Sequence, residues 1–206
     1  MTPGKRLFDL TLALLLGVLL LPVLVLLVAV LLVAEGRPVF YVSERMRTPT
    51  EAFGLIKLRT MRPAPPGSRE GVTGGDKAAR MSRLQRFLRR TRADEIPQLW
   101  NVIRGDMSLV GPRPPLRLYV EAFPELYARV LKSRPGITGL ASLRYHAVEE
   151  RLLAACRTPE ETDEVYRRRC VPRKAALDLI YQRERSLCWD ILLVLQTAAR
   201  PFLHKG

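Results

Sequence analysis

The sequence predicts an α+β fold, mainly helical, in which an N-terminal membrane-embedded helix, a β-hairpin and amphipathic interfacial helices surround one small domain. Three observations predict it: an uncharged apolar run from Leu10 to Ala34, two short β-prone runs just after it, and helical periodicity interrupted by loops rich in proline and glycine. The expected division is a membrane segment over residues 1–36 and a cytosolic, membrane-associated domain over 37–206.

At ~1.5 Å per residue the apolar run would reach about 37 Å as a straight helix, more than the roughly 30 Å hydrocarbon core requires. It is longer than the apolar core of a signal peptide, and no small-residue cleavage site follows Ala34. Pro22 lies near its middle, where the missing backbone donor and the clash with the preceding turn predict a kink. Basic residues flank both ends, Lys5 and Arg6 before it and Arg37, Arg45 and Arg47 after it, so the charge asymmetry that orients a spanning helix is lacking. Two courses stay open: a helix that crosses, and a re-entrant helix that bends at Pro22 and leaves by the face it entered.

The next runs, "RPVFYVSERM" and "EAFGLIKLRTM", flank "RTPTE" and read as a β-hairpin. Pro63 to Lys77 has the composition of a mobile loop and lacks the spacing of a phosphate-binding P-loop. From Ala78 to Thr91 the pattern becomes a basic amphipathic helix. Met81, Leu84, Phe87 and Leu88 recur at helical spacing between Arg80, Arg83, Arg86, Arg89 and Arg90, a face suited either to water or to a membrane surface. Thr158 to Arg169 reads as a plain surface helix. The C-terminal "SLCWDILLVLQTAARPFLHKG" is too short to span comfortably and carries Trp189, Phe202 and Lys205, so it reads as an interfacial helix. Asp190 on such a helix needs a cationic partner, and arginine is abundant.

A formal net charge of +14 favours anionic partners: nucleic acid, acidic headgroups, or nucleotide and lipid phosphates. Three cysteines without CxxC spacing give no disulfide framework or zinc knuckle, and with only two histidines any metal should be a hard, oxygen-bound ion such as magnesium. In "RADEIPQLWN", Asp94 and Glu95 follow the arginine-dense run and precede Pro97, a residue tolerated only near a helix start. A helix is therefore expected from about Asp94 or Glu95 to a stop at Gly105. An acid there can be an N-cap, or it can be an anion kept ionised by the helix terminus and ready to act as a nucleophile. Arg113, fixed between prolines in "GDMSLVGPRPP", suits a bidentate phosphate contact.

Taken in order, "KRLFDL", "ER" at Glu44 and Arg45, "KLRTM" from Lys57, "RADEIPQLWNVIRGDMSLVGPRP", "RPGITGLA" and "SLCWD" resemble the bacterial sugar transferase family, the monotopic phosphoglycosyl transferases. The likeness runs from about Lys5 to Thr197. It implies a small catalytic domain on the cytoplasmic face of the bacterial inner membrane, held by a re-entrant helix bent at Pro22. The implied activity is transfer of sugar 1-phosphate from a UDP-sugar to polyprenol (undecaprenyl) phosphate with release of UMP, the first membrane step of glycoconjugate and exopolysaccharide assembly. It further implies that Asp94 is the nucleophile, forming a covalent phosphosugar intermediate. Glu95 is the acidic neighbour that helps activate the acceptor, and Mg²⁺ is held by Asp94 and diphosphate oxygens. Lys57, Arg59 and Arg113 match basic positions assigned to phosphate or nucleotide contact, and Asp190 matches an acidic position that is structural or catalytic. No nucleic acid is expected as a partner. The competing class is a non-catalytic basic protein that docks on anionic membrane or nucleic acid. Against it, the charge is spread through motifs rather than collected in a tail, and no aromatic-rich RNA-binding motif is present. Two departures stand out: Leu21, not serine, precedes Pro22, and "GLASLRYH" replaces the family's usual continuation after "GLA", a stretch tied to the choice of sugar.

Overall fold

The structure is a computed structural model that describes residues 1–62 and 74–203. In chain order its elements are α1 (Pro3–Glu35), β1 (Phe40–Met46), β2 (Ala52–Leu58), α2 (Arg83–Thr91), α3 (Gln98–Arg104), β3 (Ser108–Val110), α4 (Arg117–Ala122) and α5 (Pro124–Val130). They continue with β4 (Gly136–Thr138), α6 (Leu140–Arg144), α7 (His146–Ala154), α8 (Pro159–Val165), α9 (Val171–Glu184) and α10 (Leu187–Leu203). The fold is mainly helical with a few short strands, as expected.

The hairpin forms in full register, from Phe40 opposite Leu58 to Met46 opposite Ala52. Its turn closes where the Arg47 N–H donates to the Glu51 carbonyl at 2.8 Å. Of the expected loop over 63–77, residues 63–73 lie outside the described residues, and Gly75–Arg80 forms a 3₁₀ turn. The helix expected over 78–91 starts only at Arg83, because Ser82 and Gln85 make a capping box. Ser82 Oγ accepts from the Gln85 N–H at 3.2 Å and Gln85 Oε1 accepts from the Ser82 N–H at 3.0 Å.

Two further expectations are corrected. Thr158 to Arg169 is not a plain surface helix: α8 runs into a π-helical turn over Tyr166–Cys170, and both Tyr166 and Cys170 are buried. Pro172, in the first turn of α9, has no N–H for the carbonyl four residues back, and its ring crowds that carbonyl, so a widened turn resolves the conflict. The segments read as loops, "GDMSLVGPRPP" and "RPGITGLA", contain β3 and β4, which pair in parallel with Ser108 opposite Gly136 and Val110 opposite Thr138. A Cβ at Gly111 would run into the Arg134 carbonyl and one at Gly139 into the Gly111 carbonyl. Gly111, Gly136 and Gly139 therefore serve close backbone approach, which brings the Arg113 turn against the domain.

Three apolar clusters hold the body together. One joins Met46 to α4, α5, α7, the π-helical turn and α9 through Tyr119, Val130, Leu153, Tyr166 and Val171. A second packs the first half of α1 against α3, β3 and α10 through Ala13, Val102, Val110 and Leu193. The third sets Leu31 of α1 on Val39, Leu58 and Leu88.

α1 runs unbroken through Pro22, and one of its faces turns to the protein along its length. Lys5, Asp9 and Ala13 are buried, Leu16, Leu20 and Leu24 half-buried, and Leu31 buried again, all at helical spacing. The opposite face, including Leu15, Val18, Leu19, Val25 and Leu26, is exposed and apolar. Arg6 donates to the carbonyls of Val102 and Ile103 at 2.6 and 2.8 Å, in the last turn of α3, where the Gly105 N–H also donates to Val102 at 3.0 Å and the helix terminus favours a cation. Asp9 accepts from Ser108 Oγ at 2.7 Å and from the Leu109 N–H at 3.3 Å. At the other end, Arg59 donates to the carbonyls of Glu35 and Gly36 at 2.9 and 3.1 Å. Both ends of α1 are thus fastened to the same body.

Candidate active site

The site is assembled around the link between α2 and α3. α2 ends on Arg92, whose φ of 57° puts a non-glycine residue in the left-handed region. Such a conformation costs on the order of 1–3 kcal/mol and persists where its surroundings demand it. Here it reverses the chain so that a 3₁₀ turn over Ala93–Glu95 drops Asp94 and Glu95 into the protein. α3 begins at Gln98, later than the sequence suggested, and neither Ala93–Glu95 nor α3 has a side-chain cap, so Asp94 is not an N-cap. Asn101 fixes α3 on the hairpin: its side chain accepts from the Ile56 N–H at 3.1 Å and donates to the Gly54 carbonyl at 2.8 Å. That contact places the acidic pair beside Lys57 of β2.

Asp94 and Glu95 line a cavity of about 960 Å³ bounded by α2, the hairpin, the Arg113 turn and the α5, α7 and α9 side of the domain. Nine lysine and arginine side chains line it against five carboxylates. The two acids are buried alike, 6% and 9% exposed, yet they are held differently. Glu95 accepts from Arg113 at 2.6 Å and from Arg92 at 3.4 Å. Burial alone would raise its carboxyl, but Arg113 and Arg92 outweigh that and hold it down at about 2. Asp94 accepts no hydrogen bond from any described residue. Burial first, then the like charge of Glu95, push its carboxyl up to about 6, against the pull of Arg89, Lys57 and Arg113. Asp94 is thus still mainly ionised at neutral pH, and the cations around it, rather than a helix terminus, oppose the effect of burial.

The remaining site residues separate into two groups. Lys57 and Arg113 line the cavity with the acidic pair. Burial, then the like charges of Arg89 and Arg45, bring the Lys57 amine down to about 8. Arg113, 42% exposed at its side chain, presents the guanidinium edge that Glu95 leaves over. Arg59 and Asp190 lie elsewhere. Arg59 holds the end of α1, and Asp190 is buried against Lys5 at 2.7 Å while accepting from Tyr181 Oη at 2.6 Å. The partner of Asp190 is therefore a lysine from the opposite end of the chain, not an arginine.

Sequence reasoning missed Arg45 and Arg89 as members of the site. Both line the cavity, and Arg45 Nε has no hydrogen-bond partner among the described residues. Arg89 donates to Thr60 Oγ1 at 2.9 Å, which ties α2 to the end of β2. Among the described residues no three acidic, histidine or cysteine side chains converge as a ready metal cage. A divalent cation that brings its own oxygens on a diphosphate would fit the Asp94 carboxylate, which is uncommitted, while Glu95 is occupied by arginine.

A buried carboxylate without hydrogen bonds, ringed by cations, is a geometry for meeting an anion. The sequence profile described as Bacterial sugar transferase matches residues 2–204. The chain belongs to this family. This bacterial sugar transferase is 37% identical over 199 residues to a UDP-glucose:undecaprenyl-phosphate glucose-1-phosphate transferase of Caulobacter vibrioides, covering 94% of the chain and 67% of that protein. It is 30% identical over 213 residues to a protein of the same name from Escherichia coli, covering 98% of the chain and 41% of the relative. A UDP-galactose-lipid carrier transferase of Erwinia amylovora is 37% identical over 150 residues, covering 66% of the chain and 31% of the relative. The sugar transferase chain thus spans two thirds of the first of these proteins and less than half of the other two.

Proposed function

We propose that this chain transfers sugar 1-phosphate from a UDP-sugar to polyprenol (undecaprenyl) phosphate, giving polyprenyl-diphosphate-sugar and UMP through a phosphosugar ester on Asp94. The observation that carries this reading is the Asp94 carboxylate itself, buried in a cationic cavity and hydrogen-bonded to no described residue. An Asp94 oxygen attacks the phosphorus that bears the sugar, and the bond to the bridging oxygen breaks, so that UMP leaves with the electron pair. A phosphate oxygen of the polyprenol then attacks the same phosphorus and the Asp94 carboxylate departs. Both steps bring anions together, and Lys57, Arg89 and Arg113 supply fixed positive charge where it accumulates. Asp94 and diphosphate oxygens would hold Mg²⁺, whose charge lowers the same repulsion. Glu95, held at about 2, is a poor general base. A phosphate monoester with a second pKa of ~6 needs none at neutral pH, so the part of Glu95 is to aim Arg113 and Arg92.

Incubation with Mg²⁺ and a UDP-sugar, without acceptor, is expected to add one phosphosugar to the protein in intact-mass spectra. An active enzyme without that adduct would point to direct attack by the lipid phosphate. The kcat/KM for UMP release should be bell-shaped in pH. It rises through about 6 as Asp94 loses its proton and falls above about 8 as Lys57 loses its charge.

The donor class is water-soluble and the acceptor is a lipid, so the site belongs at the cytoplasmic membrane face, with residues 1–36 embedded and 37–206 carrying the chemistry. A re-entrant α1 is supported by three features: both ends tied to one body, an apolar face turned outward along the helix, and Pro22 on that outward face. Exposed Phe87, Trp100, Ile191 and Leu195 on α2, α3 and α10 suit shallow insertion beside it. Cysteines introduced as Gly4→Cys and Arg37→Cys, in a background without Cys156, Cys170 and Cys188, are expected to react from the same side of sealed vesicles. Labelling from opposite sides would establish a spanning helix.

A further inference from the structure

The phosphate chemistry engages one part of the cavity, and a second polar group lines another. Tyr127 of α5 and Asp178 of α9 are buried, 8% and 7% exposed, and line the cavity, yet neither the phenol nor the carboxylate hydrogen-bonds any described residue. Lys174, one turn before Asp178 on the same face of α9, donates to Glu149 at 2.9 Å and to Tyr166 Oη at 3.3 Å. An ammonium has three donors, so one remains. Buried polar groups in folded proteins are nearly all paired, and two unpaired ones in one wall of an open cavity mark a place where a ligand completes the pairing.

We propose that the wall formed by Tyr127, Lys174 and Asp178 holds the sugar of the donor through its hydroxyl groups, an inference that rests on the sugar-nucleotide reading above. The donor set selects for a neutral polyol. Glu149 and Asp178 repel phosphate. A carboxylate offers about four lone-pair sites and can accept from two neighbouring hydroxyls, whereas a uracil edge has a single N–H to give. A phenol both donates and accepts, and the free ammonium donor serves a third oxygen. Burial pushes the Asp178 carboxyl up to about 7, with Lys174 opposing and Glu149 adding to the rise. That is the state of a carboxylate short of donors, which sugar hydroxyls would provide.

The test uses the full chain in detergent or nanodiscs. It measures kcat/KM for UMP release from UDP-glucose, UDP-galactose and UDP-N-acetylglucosamine, together with inhibition by UMP. Asp178→Asn is expected to lower kcat/KM for the preferred donor about ten- to hundredfold, since a hydrogen bond to a charged group is lost. It should also compress the preference among the three donors by about fivefold or more, while UMP inhibition changes less than about twofold. Tyr127→Phe leaves every described hydrogen bond in place and should move the same ratios in the same direction by about threefold, which keeps the test valid if Asp178→Asn lowers the Tm. Equal losses with all three donors, a matching loss of UMP inhibition, or wild-type preferences in both variants would overturn this inference alone. A wild-type chain that releases no UMP from any UDP-sugar would overturn the sugar-nucleotide reading and this inference with it.

Discussion

Asp94→Asn is expected to lower UMP release at least about a thousandfold while making the protein more stable. An amide cannot form the ester with phosphorus, and losing a nucleophile costs orders of magnitude even where binding is intact. The stability gain follows from linkage. In the folded protein the Asp94 carboxyl is raised from 3.8 to about 6, so the ionised form is disfavoured by folding. That cost is fully present above about 6 and disappears as pH falls below the unfolded value near 3.8. Two units correspond to at most roughly 3 kcal/mol, less whatever the buried amide leaves unpaired. Thermal unfolding at pH 8 should therefore show a Tm raised by about 2 °C or more, a difference that vanishes near pH 4. A variant with retained turnover, or one that is less stable at pH 8, would contradict the role given to this carboxylate.

Asp190→Ala should act the opposite way. It leaves the Lys5 amine, whose side chain is 11% exposed, without the carboxylate at 2.7 Å, and strips Tyr181 Oη of its 2.6 Å acceptor. Removing one member of a buried ion pair typically costs about 3–5 kcal/mol, because the other charge stays buried. A Tm lower by roughly 6 °C or more is expected. Combining it with Lys5→Met should return part of the loss, since the stranded charge is then gone as well. Asp190 does not line the cavity, so at low temperature the folded fraction of Asp190→Ala should release UMP with near-normal KM. A raised KM with unchanged Tm would assign Asp190 to the substrate instead.

Local pattern made the long apolar helix, the hairpin and the acidic pair legible: an uncharged run, two β-prone runs about a turn, and two acids set between arginines and a proline. What escaped the sequence was set by contacts between distant segments. β3 and β4 are three residues each, too short for periodicity, and exist because Gly111, Gly136 and Gly139 let two backbones meet. In the arginine-rich run of α2 nothing marks Arg89 as the side chain drawn in to Thr60 while Arg86, which lines the same cavity, stays exposed; only the capping box, which sets where the helix starts, fixes its phase. Asp190 needed a cation, and composition pointed to arginine, but α10 packs on the first turns of α1, where the reachable cation is Lys5. Arg59 matched a family position by its place in "KLRTM", and strand alternation would set it on the same face as Lys57, two residues earlier. β2 ends at Leu58, however, so Arg59 leaves that alternation and reaches the carbonyls closing α1 while Lys57 meets the cavity.

The way Lys5, Arg6 and Asp9 are wired into α10, α3 and β3 bears on how this protein can be handled. α1 is not a removable tether: a fragment starting after Gly36 would forfeit the counter-ion of Asp190, the arginine on the last turn of the helix that follows the acidic pair, and the acceptor that orders Ser108. Clipping the greasy segment to obtain a water-soluble catalyst would therefore dismantle the scaffold it was meant to liberate.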